Sequence, residues 1–279
     1  MRICFTSDLH GDAALYEQLD ELLRTEPLDL LILGGDLLAD GDRADPLGTQ
    51  VACLRHELMP RVDAWRTAAP HLIVACIAGN HEWACTYTAL QDYHADGRIV
   101  LLDHRRAWQH AGLALLGYSS TPPTPHWVKD FERLDLPEDP LPTFEGVLWD
   151  PSQQCARAVD LATCFRGRPS MAQELESAPR VPSPWILVSH APPFDCKLDH
   201  LAKIPHPIGS RAVRRFIEQR QPLCSLHGHI HDSPNVTGAY SDRIGATLCI
   251  NPGQDHDRLH AVLFDSARPA ETLRHTVFP

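Results

Sequence analysis

Apolar residues in this chain gather in short runs of strand length, each followed by a polar or glycine-bearing turn. The runs fall at Ile3–Thr6, Leu28–Leu33, Leu72–Ile77, Ile99–Leu102 and Leu113–Gly117, then at Trp185–Ser189, Leu223–Leu226, Ala246–Ile250 and His260–Phe264. Between several of them the spacing lengthens to three and four. Ala13–Arg24 puts Leu15, Leu19, Leu22 and Leu23 on one helical face, and Gln50–Trp65 and Gly209–Gln219 repeat the pattern. Strands that alternate with helices predict an α/β architecture with ligands at the carboxyl ends of strands.

The stretch from Thr121 to Pro184 breaks this rhythm. It holds many of the 24 prolines, in Thr121-Pro122-Pro123-Thr124-Pro125, in Pro137 to Pro142 and in Pro179 to Pro184. Proline confines the chain to extended and turn forms. The segment therefore reads as an insertion or cap of about residues 121–184 within a single domain spanning 1–279, or else as a meandering surface connection. A short helix is expected inside it at Ser152–Phe165.

Length and composition set the outer bounds. The 279 residues, 43% hydrophobic, suffice for one large domain with a substantial core. The formal net charge of −11 argues against duplex nucleic acid as a partner. No apolar run nears the roughly 20 residues that span a bilayer, so no membrane contact is expected. Met1–Thr6 reads straight into a motif and is too short for a secretory leader. Nine cysteines, with no Cys-x-x-Cys pair, lie mostly in apolar runs such as Val74–Ile77. Reduced thiols and a cytoplasmic location are the expectation.

The chemistry sits just after the strand-like runs. Asp8 and His10 follow the first, two apart, and Asp36 follows Leu31-Ile32-Leu33-Gly34-Gly35. Either alone is usually a turn. Gly79-Asn80-His81-Glu82 adds a neutral amide oxygen and an imidazole able to transfer a proton, the lesser alternative being that Asn80 caps a helix. His227-Gly228-His229-Ile230-His231 is the sharpest signal, because each buried imidazole needs a polar partner. Alternation there could supply one ligand to each of two neighbouring ions. His190 closes Trp185–Ser189 and adds a further imidazole.

As an ordered set, Asp8-x-His10, Gly35-Asp36, Gly79-Asn80-His81-Glu82, His190 and Gly228-His229-x-His231 closely resembles the calcineurin-like metallophosphoesterases. The resemblance covers residues 1 to about 253. It implies two mixed β-sheets packed face to face and flanked by helices. It also implies two divalent cations: Asp8, His10, Asp36 and His231 on one, Asp36, Asn80, His190 and His229 on the other, with Asp36 bridging. His81 would be the proton donor. Such mixed ligation suits Mn, Fe, Zn or Co. Two cations bring +4 against −2 from Asp8 and Asp36, so an acidic protein can still attract an anionic ester locally.

Protein phosphatases of this family carry Gly-Asp-x-Val-Asp-Arg-Gly, whereas here Asp36 leads into Leu37-Leu38-Ala39-Asp40-Gly41. The missing arginine favours a small phosphodiester, a cyclic nucleotide among the options, over a phosphomonoester or phosphoprotein. A non-catalytic scaffold would be expected to lose ligands, and this chain keeps every one. Asn251 and His206 are candidate substrate contacts, Trp127 and Trp149 candidate stacking walls, and Arg211, Arg214 and Arg215 read as a solvated helix face. The expected partners are a small phosphate ester and, as an open alternative, a second copy of the chain.

Overall fold

A computed structural model describes all residues, 1–279. Its strands are β1 (Arg2–Thr6), β2 (Leu30–Leu33), β3 (Ile73–Cys76), β4 (Val100–Leu101), β5 (Trp108–His110), β6 (Leu113–Tyr118), β7 (Val147–Asp150), β8 (Cys155–Ala158), β9 (Trp185–Ser189), β10 (Cys224–Leu226), β11 (Ser241–Ile244), β12 (Thr247–Ile250), β13 (Ala261–Asp265) and β14 (Arg274–His275). Two six-stranded sheets form, ordered β14-β13-β1-β2-β3-β4 and β11-β12-β10-β9-β6-β5. β1, β2, β3 and β4 run parallel, as do β6, β9, β10 and β12. β13, β14, β5 and β11 pair antiparallel, so both sheets are mixed.

The two faces of each sheet have different partners. Ile3, Phe5, Leu30 and Ile32 meet Leu115, Ile186, Val188 and Leu226 in one buried cluster between the sheets. Their neighbours Cys4, Leu31 and Leu33 turn the other way, onto the helices α1 (Ala13–Thr25) and α2 (Met59–Ala68), through Leu15, Leu19 and Val62. On the far side Leu116, Trp185 and Leu187 pack with Val213, Phe216 and Ile217. The result is a helix–sheet–sheet–helix stack. Parallel strands buried on both faces must be apolar throughout, hence the unbroken runs in the sequence. All nine cysteines are free, and no helix is long and apolar enough to cross a membrane.

Three further helices bear on the site or on the proline-rich stretch: α3 (Ala84–Ala95), α4 (Leu161–Arg166) and α5 (Met171–Glu176), with α6 (Arg211–Arg220) completing the far layer. The expected helix at Ser152–Phe165 is corrected. Asp150 accepts the backbone N–H of Ser152 and of Gln153, which turns the chain into the β7–β8 hairpin. A helix starts only after Asp160 accepts from Ala162 and Thr163.

The stretch 121–184 is tied into the body of the protein at several points. Asp135 accepts from Ser210 Oγ and from the backbone N–H of Arg211 and Ala212, which satisfies the start of α6. Asp130 does the same for Ala84 at the start of α3. The helix face read as solvated is partly engaged: Arg211 pairs with Asp135 and Asp139, and Arg214 donates to the carbonyls of Phe194 and Asp195. Arg215 stays exposed. Trp127 and Trp149 are half-buried and pack onto the first core, so both close over apolar side chains.

Candidate metal centre

The carboxyl ends of β1, β2, β3, β9 and β10 converge, and they are the central strands of the two sheets. Past β1 and β2 the loops stay zipped, with His10 N–H to Asp36 O at 2.9 Å and Gly11 N–H to Leu37 O at 2.9 Å. Asp8 and His10 do not share a side by strand alternation. Both take positive φ, 59° and 45°, as do Asp36 at 50° and His229 at 66°. Left-handed backbone at a non-glycine residue costs of order 1–3 kcal/mol and persists only where the surroundings enforce it. Here it bends four chemistry-bearing side chains toward one point.

Ligand-type atoms gather in three groups, each with all such atoms within 4.8 Å, and two of them hold the predicted ligands: Asp8, His10 and His231, then Asp36, His190 and His229. His231 Nε2 lies 3.2 Å from Asp8 Oδ1 and 3.3 Å from His10 Nε2. His190 Nε2 lies 3.2 Å from Asp36 Oδ2 and 3.9 Å from Asp8 Oδ1, so the groups adjoin. His229 and His231, two apart, fall one to each of these two. Asn80 is buried beside His81, and its Oδ1 has no hydrogen-bond partner, nor has His190 Nε2.

That donor set fits a pair of divalent cations. Two buried carboxylates, four imidazoles and an orphaned amide oxygen are the hard-to-borderline ligands such ions take. His190 Nδ1 is held by Gly34 O at 2.8 Å, the backbone contact that leaves Nε2 free as a ligand. Burial, helped by the neighbouring His190, pushes His229 down to about 3 and keeps that ring neutral. Burial works against a charged His190, yet Asp36 and Asp8 outweigh it and raise the ring to about 10. Space is kept by glycine: a Cβ on Gly79 would collide with Asp36 Oδ1, and one on Gly228 would collide with Asp8 Oδ2.

Glu82 is the brace of the centre. Fully buried, it accepts the backbone N–H of Asp36, Leu37, Leu38 and Gly79 at 2.9, 2.8, 3.2 and 2.6 Å. Burial and the Asp36 charge push it up to about 7. Truncation strands four donors at about 1–3 kcal/mol each, so Glu82→Ala should lower Tm by roughly 8 °C or more. A calorimetric shift near zero would remove Glu82 from this role.

His81 stands beside these two groups, in the third with His10 and Asp40. Its Nδ1 meets Asp40 Oδ1 at 2.5 Å, and its Nε2 is 3.9 Å from Asp36 Oδ2. Burial opposes a charge on this ring, but Asp36 and Asp40 together raise it to about 9. Asp40 is invisible as a partner in the sequence, where it looks like one more acid in a polar loop. His227 is structural: its Nδ1 faces Ser189 O and Ala191 O at 3.0 Å, and its Nε2 meets Ser225 Oγ at 2.7 Å.

The two candidate substrate contacts sit elsewhere. Asn251 is fully buried, donates to the carbonyls of Leu198, Gly228 and Ile230, and accepts from Gly253 N–H. Its amide is spent on the turn that carries His229, so it braces the site. His206 is exposed on the loop before α6 and belongs to none of the groups.

The calcineurin-like phosphoesterase profile matches residues 1–233, and the chain belongs to that family. A search of curated proteins returned no match. Among solved structures, one superimposes with TM-score 0.59 at 14% identity over 100% of this chain and 99% of its own. The Thermus thermophilus protein TT1561 does so with TM-score 0.55 at 17% identity, over 98% and 97%. A novel archaeal phosphodiesterase aligns with TM-score 0.46 at 10% identity, over 99% and 98%. At these identities the first two speak for the fold alone.

Proposed function

We propose that this protein is a dinuclear metal-dependent phosphoesterase that hydrolyses a small phosphodiester. The observation that carries the reading is the pair of adjoining ligand groups, with His190 Nε2 set against both buried carboxylates and, like buried Asn80 Oδ1, left without a hydrogen-bond partner. Asp8, His10, Asp36 and His231 would hold one ion, and Asp36, Asn80, His190 and His229 the other. Manganese, iron, zinc and cobalt suit the set. When bound, the pair supplies an activated water and charge stabilisation at the phosphoryl oxygens.

The chain's own residues do the rest. The two carboxylates are short of the charge of two divalent ions, which leaves the pocket attractive to an anionic ester. His81, with Nδ1 bonded to Asp40, presents Nε2 to the departing oxygen. As that oxygen leaves phosphorus it takes the Nε2 proton, and the ring is left neutral against Asp40. Support for a diester comes from Asp40, which stands at the position where family phosphatases carry a phosphate-clamping arginine. A dianionic monoester would want that extra cation more than a monoanionic diester does.

The test is turnover of bis-p-nitrophenyl phosphate against p-nitrophenyl phosphate by manganese-loaded protein. The expected result is a higher kcat/KM for the diester. A preference for the monoester would move the substrate class to phosphomonoesters. Two bound metals with no turnover of either would favour a binding scaffold.

A further inference from the structure

One imidazole at the site has no place in the chemistry above, and it comes from the proline-rich stretch. The ring of His126 lies flat on that of His81, with centroids 3.7 Å apart and planes 14° from parallel. Its Nε2 faces Asp40 Oδ2 at 3.7 Å, while the other oxygen of the same carboxylate holds His81 Nδ1 at 2.5 Å. Asp40 is thus flanked by two stacked imidazoles. Both nitrogens of His126 are buried, and neither has a hydrogen-bond partner. Buried polar atoms left unpaired destabilise a fold, so this ring is held at His81 at a cost in stability.

The loop that holds it is built to keep it there. Lys129, with no exposed surface, donates to the carbonyls of His126 and of Thr124 and pairs with Glu132 Oε2 at 2.8 Å. Glu132 in turn accepts from Thr124 Oγ1 at 2.6 Å and from Thr124 N–H at 3.1 Å. The residue after His126 is wedged as well: Trp127 meets Trp83 edge-on at 5.2 Å and lies under the Arg43 guanidinium at 4.6 Å. Trp83 is fully buried two residues beyond His81. The segments carrying the two stacked rings are therefore locked to each other independently of the rings.

We infer that His126 is a positioning residue for the Asp40–His81 pair. Stacking covers one face of His81, and the approach to Asp40 Oδ2 limits how that carboxylate can turn. Together they hold His81 Nε2 toward the departing oxygen; His126 itself transfers nothing. The inference rests on the phosphoesterase reading and adds a role for residues 121–132 in that reaction. Misplacement of a reacting group by a fraction of an ångström is expensive, so the consequence is measurable.

The experiment compares diphenyl phosphate, whose phenolate leaves poorly, with bis-p-nitrophenyl phosphate, whose leaving group needs little help. In manganese-loaded protein, His126→Ala should depress kcat on diphenyl phosphate at least about 10-fold more than on the nitrophenyl ester. His126→Phe, which keeps a stacking ring, should recover part of that gap. In an H81A background, His126→Ala should widen the gap no further, because the two act as one unit. Equal losses on both esters, or an unchanged gap in the His81-containing protein, would overturn the positioning role while the wild type still hydrolyses diesters. Failure of the wild type on both esters would overturn the function reading and this inference together.

Discussion

Asp36→Ala should abolish ester hydrolysis and leave the protein unable to hold a full pair of metals. Asp36 is buried, its Oδ2 lies 3.2 Å from His190 Nε2, and its Oδ1 accepts the backbone N–H of His81 at 2.9 Å. In the proposed assignment it is the one side chain shared by both ions. Its loss removes an anionic ligand from each and leaves His190 buried without its nearest counter-charge. Metal-derived stabilisation of a phosphoryl transition state is worth several kcal/mol, so the expected fall in kcat/KM is about 10³-fold or more. Elemental analysis should show one metal per chain or fewer. Retention of two metals with near-normal turnover would remove Asp36 from the centre.

His81→Ala should produce the second large effect by a different route, with two metals still bound. Positioned proton transfer contributes about 10²–10⁴ in rate, and the loss should fall most heavily on esters with poor leaving groups. The pH profile follows from the sign of the shift. His81 donates only while protonated, and the facing carboxylates raise its ring to about 9. Cations bound alongside favour the neutral ring and move that value down. Wild-type kcat on a poor-leaving-group ester should therefore decline along an alkaline limb at or below pH about 9, a limb absent in H81A. An identical alkaline limb in both proteins would assign it to some other group.

What could be read in the sequence was what lies close along the chain. The ligand residues stand directly after apolar strands, so Asp8, Asp36 and His190 announced themselves by position, and His229 with His231 by repetition. The parallel strands were visible for a related reason, since burial on both faces demands unbroken apolar runs such as Leu30–Leu33. The edges were not. β5, β11 and β14 pair along one side only, and residues such as Gln109, Asp242 and Arg274 give them no apolar signature. α3 was missed because its buried side includes Cys85, Thr86 and Ala89, small or polar residues that mask the helical period.

The second layer of the site was hidden for a different reason. Nothing local marks Asp40 as the partner of His81, 41 residues away, or His126 as its stacking neighbour. Glu82 was seen as part of a tetrad, but its four backbone donors come from two different loops. Ligand identity is a property of short motifs; the orientation of those ligands is a property of the closed fold.

The most direct test of the two-metal account is reconstitution of chelator-stripped protein with manganese, counted by elemental analysis and read by bis-p-nitrophenyl phosphate turnover. The account predicts that activity is absent in the stripped protein and recovers fully only as the second equivalent binds. Full turnover in the stripped protein, or at a single equivalent, would contradict it.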